Sequence, residues 1–250
     1  MTKRYGLIGK NIDYSFSRAY FAEKFDKKKD SNSTYENFDI EKISLFSDII
    51  EANKNITGLN VTIPYKQSII PYLDSLSKKA KKIGAVNTIQ ITKKGKLKGY
   101  NTDWYGFYHS IKPLLKNSHK KALILGTGGA SRAIEYALNK LGIKFQFVSR
   151  TASEDSLAYK DLNKEILADH TILINTTPVG TYPNIEQYPE VPMEFVTEKH
   201  IVYDLIYNPE ETMLMKLAKE KGATVKNGYE MLVLQAEKAY KIWNRPFSRD

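Results

Sequence analysis

The segment ALILGTGGASRAIEYALNKLG, Ala122–Gly142, constrains the fold more than any other part of the chain. A short apolar run, a turn holding Gly126, Gly128 and Gly129, and a run with apolar residues at helical spacing read as strand, tight turn and helix. A buried-type strand that feeds straight into a helix belongs to a βα unit of a parallel sheet. KFQFVSR follows as the next strand, and TILINTT and HIVYDLIY are further strand candidates. The second half is therefore predicted to be an open parallel sheet of Rossmann type.

The glycine turn also has a chemical use. Glycine permits a tight turn and close backbone approach, and the amides at a helix N-terminus favour a pyrophosphate. The pattern is Gly-x-Gly-Gly-Ala, with Arg132 or Ala133 where the full motif has a third glycine. Taken alone it reads equally as a tight βα turn; its strand–turn–helix setting points to a dinucleotide site. At the end of the second strand, an NAD site usually carries an acidic residue for the ribose hydroxyls. Here stand Ser149, Arg150 and Thr151, which suit a ribose 2′-phosphate, so NADP is expected over NAD. The alternative is that Arg150 is a solvated strand-end residue, and Glu154 adds negative charge nearby.

The first hundred residues also alternate strands and helices. RYGLIG, STYENFDI and GLNVTI read as strands, and VNTIQI with LKGY as a hairpin turning at KKGK. SFSRAYFAEKF reads as a helix with Ala19, Ala22 and Phe25 on one face, and EKISLFSDIIEA as another with Ile43, Phe46 and Ile50. The helix DWYGFYHSIKPLL precedes a polar run, KNSHKK at 116–121, which reads as a boundary. YEMLVLQAEKAYKIW is the C-terminal helix. At 250 residues the chain is long enough for two α/β domains.

Composition narrows the function classes. With no cysteine, disulfides and thiol catalysis are excluded. No stretch reaches the roughly 18 apolar residues of a membrane helix, and MTKRYGLIG has no apolar signal core, so a cytoplasmic protein is expected. No metal-ligand cluster is visible, and His109, His119, His170 and His200 read as isolated surface or boundary residues. The net charge of +10 comes from dispersed lysines without interleaved aromatics, which argues for a solvated surface rather than a nucleic-acid partner.

NVTIPYK, Asn60–Lys66, raises a sharper question: a strand, a proline turn and then a lysine aimed from a rigid frame. From sequence, Lys66 reads as a surface lysine at a helix start and Asp103 as the N-cap of DWYGFYHSI. YSFS, NVTIPYK, GAVNTI, GYNTD, GTGGASRA, SRT, NTTPVG, DLIYNP and NGYEMLVLQ, taken as an ordered set from Tyr5 to Trp243, resemble the shikimate dehydrogenase family.

The resemblance implies reversible NADPH-dependent reduction of 3-dehydroshikimate to shikimate, in the route to chorismate and the aromatic amino acids. It implies a substrate-binding catalytic domain, residues 1–103 plus 229–250, and an NADP-binding Rossmann-like domain, residues 104–228, with the last helix folding back onto the first. Lys66 and Asp103 would form the catalytic pair. Ser15 and Ser17 would bind the substrate carboxylate, although helix capping explains hydroxyls there as well. Asn60, Thr62, Asn87 and Asp103 would contact ring hydroxyls, with Tyr207 and Gln235 completing the pocket. Gly126, Thr127, Gly128, Gly129 and Ala130, with Ser149 to Thr151, would hold NADP, and Leu205 and Gly228 would lie near the nicotinamide. Ser149 and Glu154 depart from the Asn and the second basic residue that many relatives carry, and the chain is short for the family. The state implied is a monomer or homodimer. Three rivals stand beside this reading: an NAD-linked quinate/shikimate dehydrogenase, a non-catalytic NADP-binding redox regulator, and a basic nucleic-acid-binding protein.

Overall fold

The structure, a computed structural model, describes residues 2–13 and 15–247, so Tyr14 of the YSFS motif lies outside the described residues. The chain has a two-part α/β architecture, with compact units Met1–Thr102 plus Ala236–Asp250 and Asp103–Gln235.

The first unit contains β1 (Lys3–Gly9), α1 (Phe16–Lys27), β2 (Ser33–Asp39), α2 (Phe46–Ala52), β3 (Ile56–Val61), β4 (Ser75–Leu76), α3 (Lys78–Ile83), β5 (Thr88–Ile91) and β6 (Leu97–Tyr100). They form a mixed six-stranded sheet in the order β2-β1-β3-β5-β6-β4. β2, β1 and β3 run parallel, as strand–helix–strand connections require, and β5 and β6 form the antiparallel hairpin expected around KKGK.

The buried face of α1 differs from the sequence expectation. Ser17, Phe21 and Phe25 point inward, while Ala19 and Ala22 are exposed. An aromatic ring buries far more apolar area than a methyl group. Phe21 stacks on Tyr35 with ring centroids 4.6 Å apart, and that contact sets the rotation of the helix.

The second unit contains α4 (Asp103–Ile111), β7 (Lys121–Leu125), α5 (Gly129–Leu141), β8 (Lys144–Ser149), β9 (Ser156–Ala158), α6 (Lys164–Asp169), β10 (Ile172–Asn175), β11 (Ile201–Asp204), α7 (Met213–Glu220), β12 (Thr224–Lys226) and the start of α8 (Tyr229–Trp243). Its six strands are all parallel, in the order β12-β11-β10-β7-β8-β9. The chain leaves β7 toward β8 on one side and returns to β10 on the other, so strand order reverses at β7. Such a switch point opens a crevice at the carboxyl ends of the strands. Leu123, Leu125, Val148, Leu173 and Val202 fill one face of this sheet.

The run KNSHKK lies within this unit, joining α4 to β7, because α4 packs on α5 through Trp104 and Tyr136, centroids 5.3 Å apart. Two histidines expected at the surface or a boundary are instead buried. The Lys116 amide donates to His119 Nδ1 at 2.9 Å, and His200 Nε2 lies 3.0 Å from the Leu167 carbonyl. Each ring ties loops together in place of a backbone bond.

From Ala236 onward, α8 belongs to the first unit. Ala236, Ala239 and Trp243 join Tyr5, Phe21 and Tyr35 in one core cluster. Trp243 stacks on Tyr5 at 4.9 Å and its Nε1 donates to the Ile89 carbonyl at 3.0 Å. Gly58 makes room for it: a Cβ there would come within 2.2 Å of the indole.

Candidate active site

In the first unit polar side chains, most of them buried, tie together several of the residues that the sequence singled out, among them Ser15 with Ser17, and Asn60 with Asn87. Ser15 caps α1, its hydroxyl accepting from the Ser17 amide at 3.2 Å. Tyr35 donates to Asn60 Oδ1 at 2.9 Å, and Asn60 Nδ2 donates to the Asn87 carbonyl at 3.1 Å and to the Thr88 hydroxyl at 3.4 Å. Asn87 Nδ2 donates to the Thr102 hydroxyl at 2.9 Å, while its Oδ1 accepts from the Thr102 amide at 2.7 Å. Burial raises the Tyr35 phenol above its ordinary pKa, so the group stays a donor.

Lys66 is placed by the turn after β3. The Thr62 carbonyl accepts from the Tyr65 amide at 2.9 Å, and the Tyr65 phenol drives inward to the Ile40 carbonyl at 2.6 Å. The next residue is Lys66, half-buried in a run of turns rather than at a helix start. Its carbonyl accepts at 2.7 Å from the amide of Val86, the residue before Asn87.

In the second unit Asp103 is buried as the first residue of α4 and the acid of its first turn. The crevice at β7 is a cavity of about 1130 Å³. Gly126, Thr127, Gly128, Ser149, Arg150 and Thr151 line one side, and residues 176–179 and 186–191 the other. Gly126 has φ +99°, and a Cβ there would meet the Thr177 side chain at 2.8 Å, so glycine is required twice over. Gly128 is the N-cap of α5 and supplies no side-chain cap, and a Cβ on Gly128 or Gly129 would meet nothing within 4 Å. That open backbone at a 13-residue helix, with a guanidinium in the same cavity, fits a pyrophosphate and a further phosphate. The Ser149 hydroxyl donates to the Thr151 carbonyl and lies 3.3 Å from the Ser156 hydroxyl.

Other predicted residues lie outside that lining. Gly129, Ala130, Leu205, Gly228 and Glu154 do not border the cavity. Leu205 and Gly228 pack on each other so closely that a Cβ on Gly228 would fall 2.0 Å from the Leu205 carbonyl oxygen. Tyr207 is half-buried, and Gln235 is buried on α8 with its Nε2 donating to the Leu232 carbonyl at 2.9 Å. Sequence reasoning assigned no role to Tyr35, Asn175, Thr177 or Asp204. The last three stand inside NTTPVG and DLIYNP, and the polar residues closing apolar strands there were the available signal. Among the described residues no group of three or more His, Cys, Asp or Glu is placed to hold a metal, and no helix is long and apolar enough to cross a membrane.

Known proteins match this arrangement over nearly its whole length. Residues 7–89 match the shikimate dehydrogenase substrate binding domain. A shikimate dehydrogenase (NADP(+)) of Methanococcus aeolicus is 38% identical over 97% of this chain and 92% of its own length. The crystal structure of shikimate dehydrogenase from Aquifex aeolicus superposes with a TM-score of 0.86 at 37% identity, covering 97% of this chain and 92% of that one. The Thermus thermophilus shikimate 5-dehydrogenase, in complex with NADP(H) and shikimate, gives 0.86 at 30% identity, covering 98% and 94%.

Proposed function

The chain belongs to the shikimate dehydrogenase family, and from that premise we propose how its residues divide the reaction. It is an NADP-dependent oxidoreductase that interconverts 3-dehydroshikimate and shikimate. NADPH, when bound, supplies the hydride that reduces the ring ketone. Every other requirement falls on the protein.

Hydride reduction turns a ketone oxygen into an alkoxide that must gain a proton. The Lys66 ammonium polarises that oxygen and then donates the proton, and the Asp103 carboxylate orients the ammonium and a ring hydroxyl. In the oxidative direction a neutral Lys66 accepts the proton. Ser15 and Ser17 take the substrate carboxylate, Asn60, Thr62 and Asn87 take ring hydroxyls, and Tyr207 and Gln235 complete the set. Gly126 to Ala130 hold the pyrophosphate, Ser149 to Thr151 the ribose 2′-phosphate, and Leu205 and Gly228 the nicotinamide.

The observation carrying the cofactor half is that Gly126, Gly128 and Arg150 border one cavity at the sheet's switch point. The test is NADPH formation followed by absorbance with shikimate, compared with NAD and with quinate. NADP with shikimate is the preferred pair; absence of shikimate-dependent NADPH formation overturns the reading. Cytoplasmic location and a monomeric or homodimeric state belong to the same proposal, and are checked by fractionation and light scattering.

A further inference from the structure

Asp204 has no exposed surface, and the reaction as divided above gives it no part. A buried carboxylate is a costly way to close a strand and is retained only with full hydrogen-bond compensation. Three donors converge on it. Oδ1 accepts from the Ile206 amide and from Asn175 Nδ2, both at 3.0 Å, and Oδ2 accepts from the Thr212 hydroxyl at 2.8 Å. Burial raises its pKa above the ordinary value, and the bonds from Ile206, Thr212 and Asn175 oppose that rise.

An ionised carboxylate only accepts, so it dictates the direction of every bond around it. Asn175 must turn its Nδ2 toward Asp204, which leaves its Oδ1 facing Thr177. There Oδ1 accepts from the Thr177 amide at 3.0 Å and the Thr177 hydroxyl at 2.7 Å. Thr177 borders the cavity and touches the space over Gly126. On the other side the same carboxylate holds the Ile206 amide, while the Ile206 carbonyl accepts from the Gly228 amide at 3.0 Å and the Leu205 amide donates to the Asn175 carbonyl at 3.0 Å. The turn Leu205–Tyr207 is thereby fixed to the cavity wall through one charge.

We propose that Asp204 is a positioning residue, whose carboxylate sets the Leu205–Tyr207 turn against the Thr176–Val179 wall of the cofactor cavity. The proposal rests on the reading that Leu205 and Tyr207 meet nicotinamide and substrate. Replacing Asp204 by asparagine keeps the shape but removes the charge: the Ile206 amide and Asn175 Nδ2 then donate to a neutral oxygen, and the Thr212 hydroxyl must turn to accept from the new amide nitrogen.

Four proteins decide the matter: the parent chain, Asp204→Asn, Tyr207→Phe and the double variant. Each is measured for shikimate oxidation at saturating NADP, for NADP affinity by fluorescence titration, and for melting temperature. Asp204→Asn is expected to lose about tenfold in kcat, the loss of one well-placed hydrogen bond, with NADP affinity within about twofold and the fold intact. Added to Tyr207→Phe it is expected to cost little more, since both act through one turn. Normal turnover in Asp204→Asn, or losses that multiply in the double variant, overturns the proposal. An impaired Asp204→Asn beside a silent Tyr207→Phe faults the substrate role of Tyr207, not the positioning, which then runs through Leu205. Should Asp204→Asn fold poorly, Thr212→Val removes the single donor to Oδ2 and must show the same split between turnover and affinity; an unchanged kcat there counts equally against the idea.

Discussion

Lys66 follows a turn that Tyr65 anchors in the core, and its own carbonyl is tied to Val86, so the backbone beneath its ammonium is fixed. Replacing it by alanine is expected to lower kcat by roughly 10²–10⁴-fold, the usual worth of a positioned general acid, while NADP affinity stays near normal. Steady-state kinetics paired with cofactor titration checks this, and near-normal turnover would remove Lys66 from the mechanism. Tyr35 is a different kind of residue. Its ring stacks on Phe21 and its hydroxyl donates to Asn60. Tyr35→Phe keeps the stacking but leaves the buried Asn60 Oδ1 without the donor it has now, so kcat/KM for shikimate should fall about tenfold with NADP affinity unchanged. Equal losses toward both ligands would mean a general loosening. Lys66 could be singled out in the sequence because it stands inside a distinctive motif. Tyr35 and Asp204 were not, because each acts through partners distant along the chain, and an interior strand tyrosine or strand-end aspartate looks like many others.

Elements were legible where the local code was strong. The strand, glycine turn and helix from β7 to α5 form as read, because burial, φ above zero at Gly126 and helical periodicity agree there. The short elements β4, β9, β12, α3, α6 and α7 escaped, since two to eight residues carry too little periodicity to separate from loop. The face of α1 escaped because its choice lies with aromatic partners on β2 and α8.

The docking of α8 onto α1 has its own pH signature. Burial alone would raise the Glu237 carboxyl, but the Lys24 ammonium and the Tyr20 hydroxyl outweigh it and hold the group below the ordinary glutamate value of 4.5. A lowered folded pKa gives stability that is full above that ordinary value and lost as pH falls through the folded one. Glu237→Gln should therefore cost about 1 kcal/mol at pH 7 for this partly exposed pair, with the difference from the parent vanishing under acid. Urea midpoints at pH 7 and pH 3 measure it, and a pH-independent difference would show that packing, not charge, is what the substitution disturbs.

For the molecule as a whole, the net charge of +10 meets a substrate acid and a cofactor that are both anionic. Raising ionic strength from ~0.01 M to ~0.15 M shortens the screening length from about 30 Å to about 8 Å. Steered association weakens accordingly, so kcat/KM should fall several-fold while kcat holds; a flat kcat/KM across that range would leave the lysines as mere solvation. Because Trp243 stacks on Tyr5, the aromatic cluster that opens the polypeptide is closed by residues translated after the entire second unit. On the ribosome the parallel sheet can mature first, while Phe21 and Tyr5 wait uncovered for their lid. A nascent chain stalled before residue 236 would present that oily surface to a chaperone, making the half begun earliest the one born last.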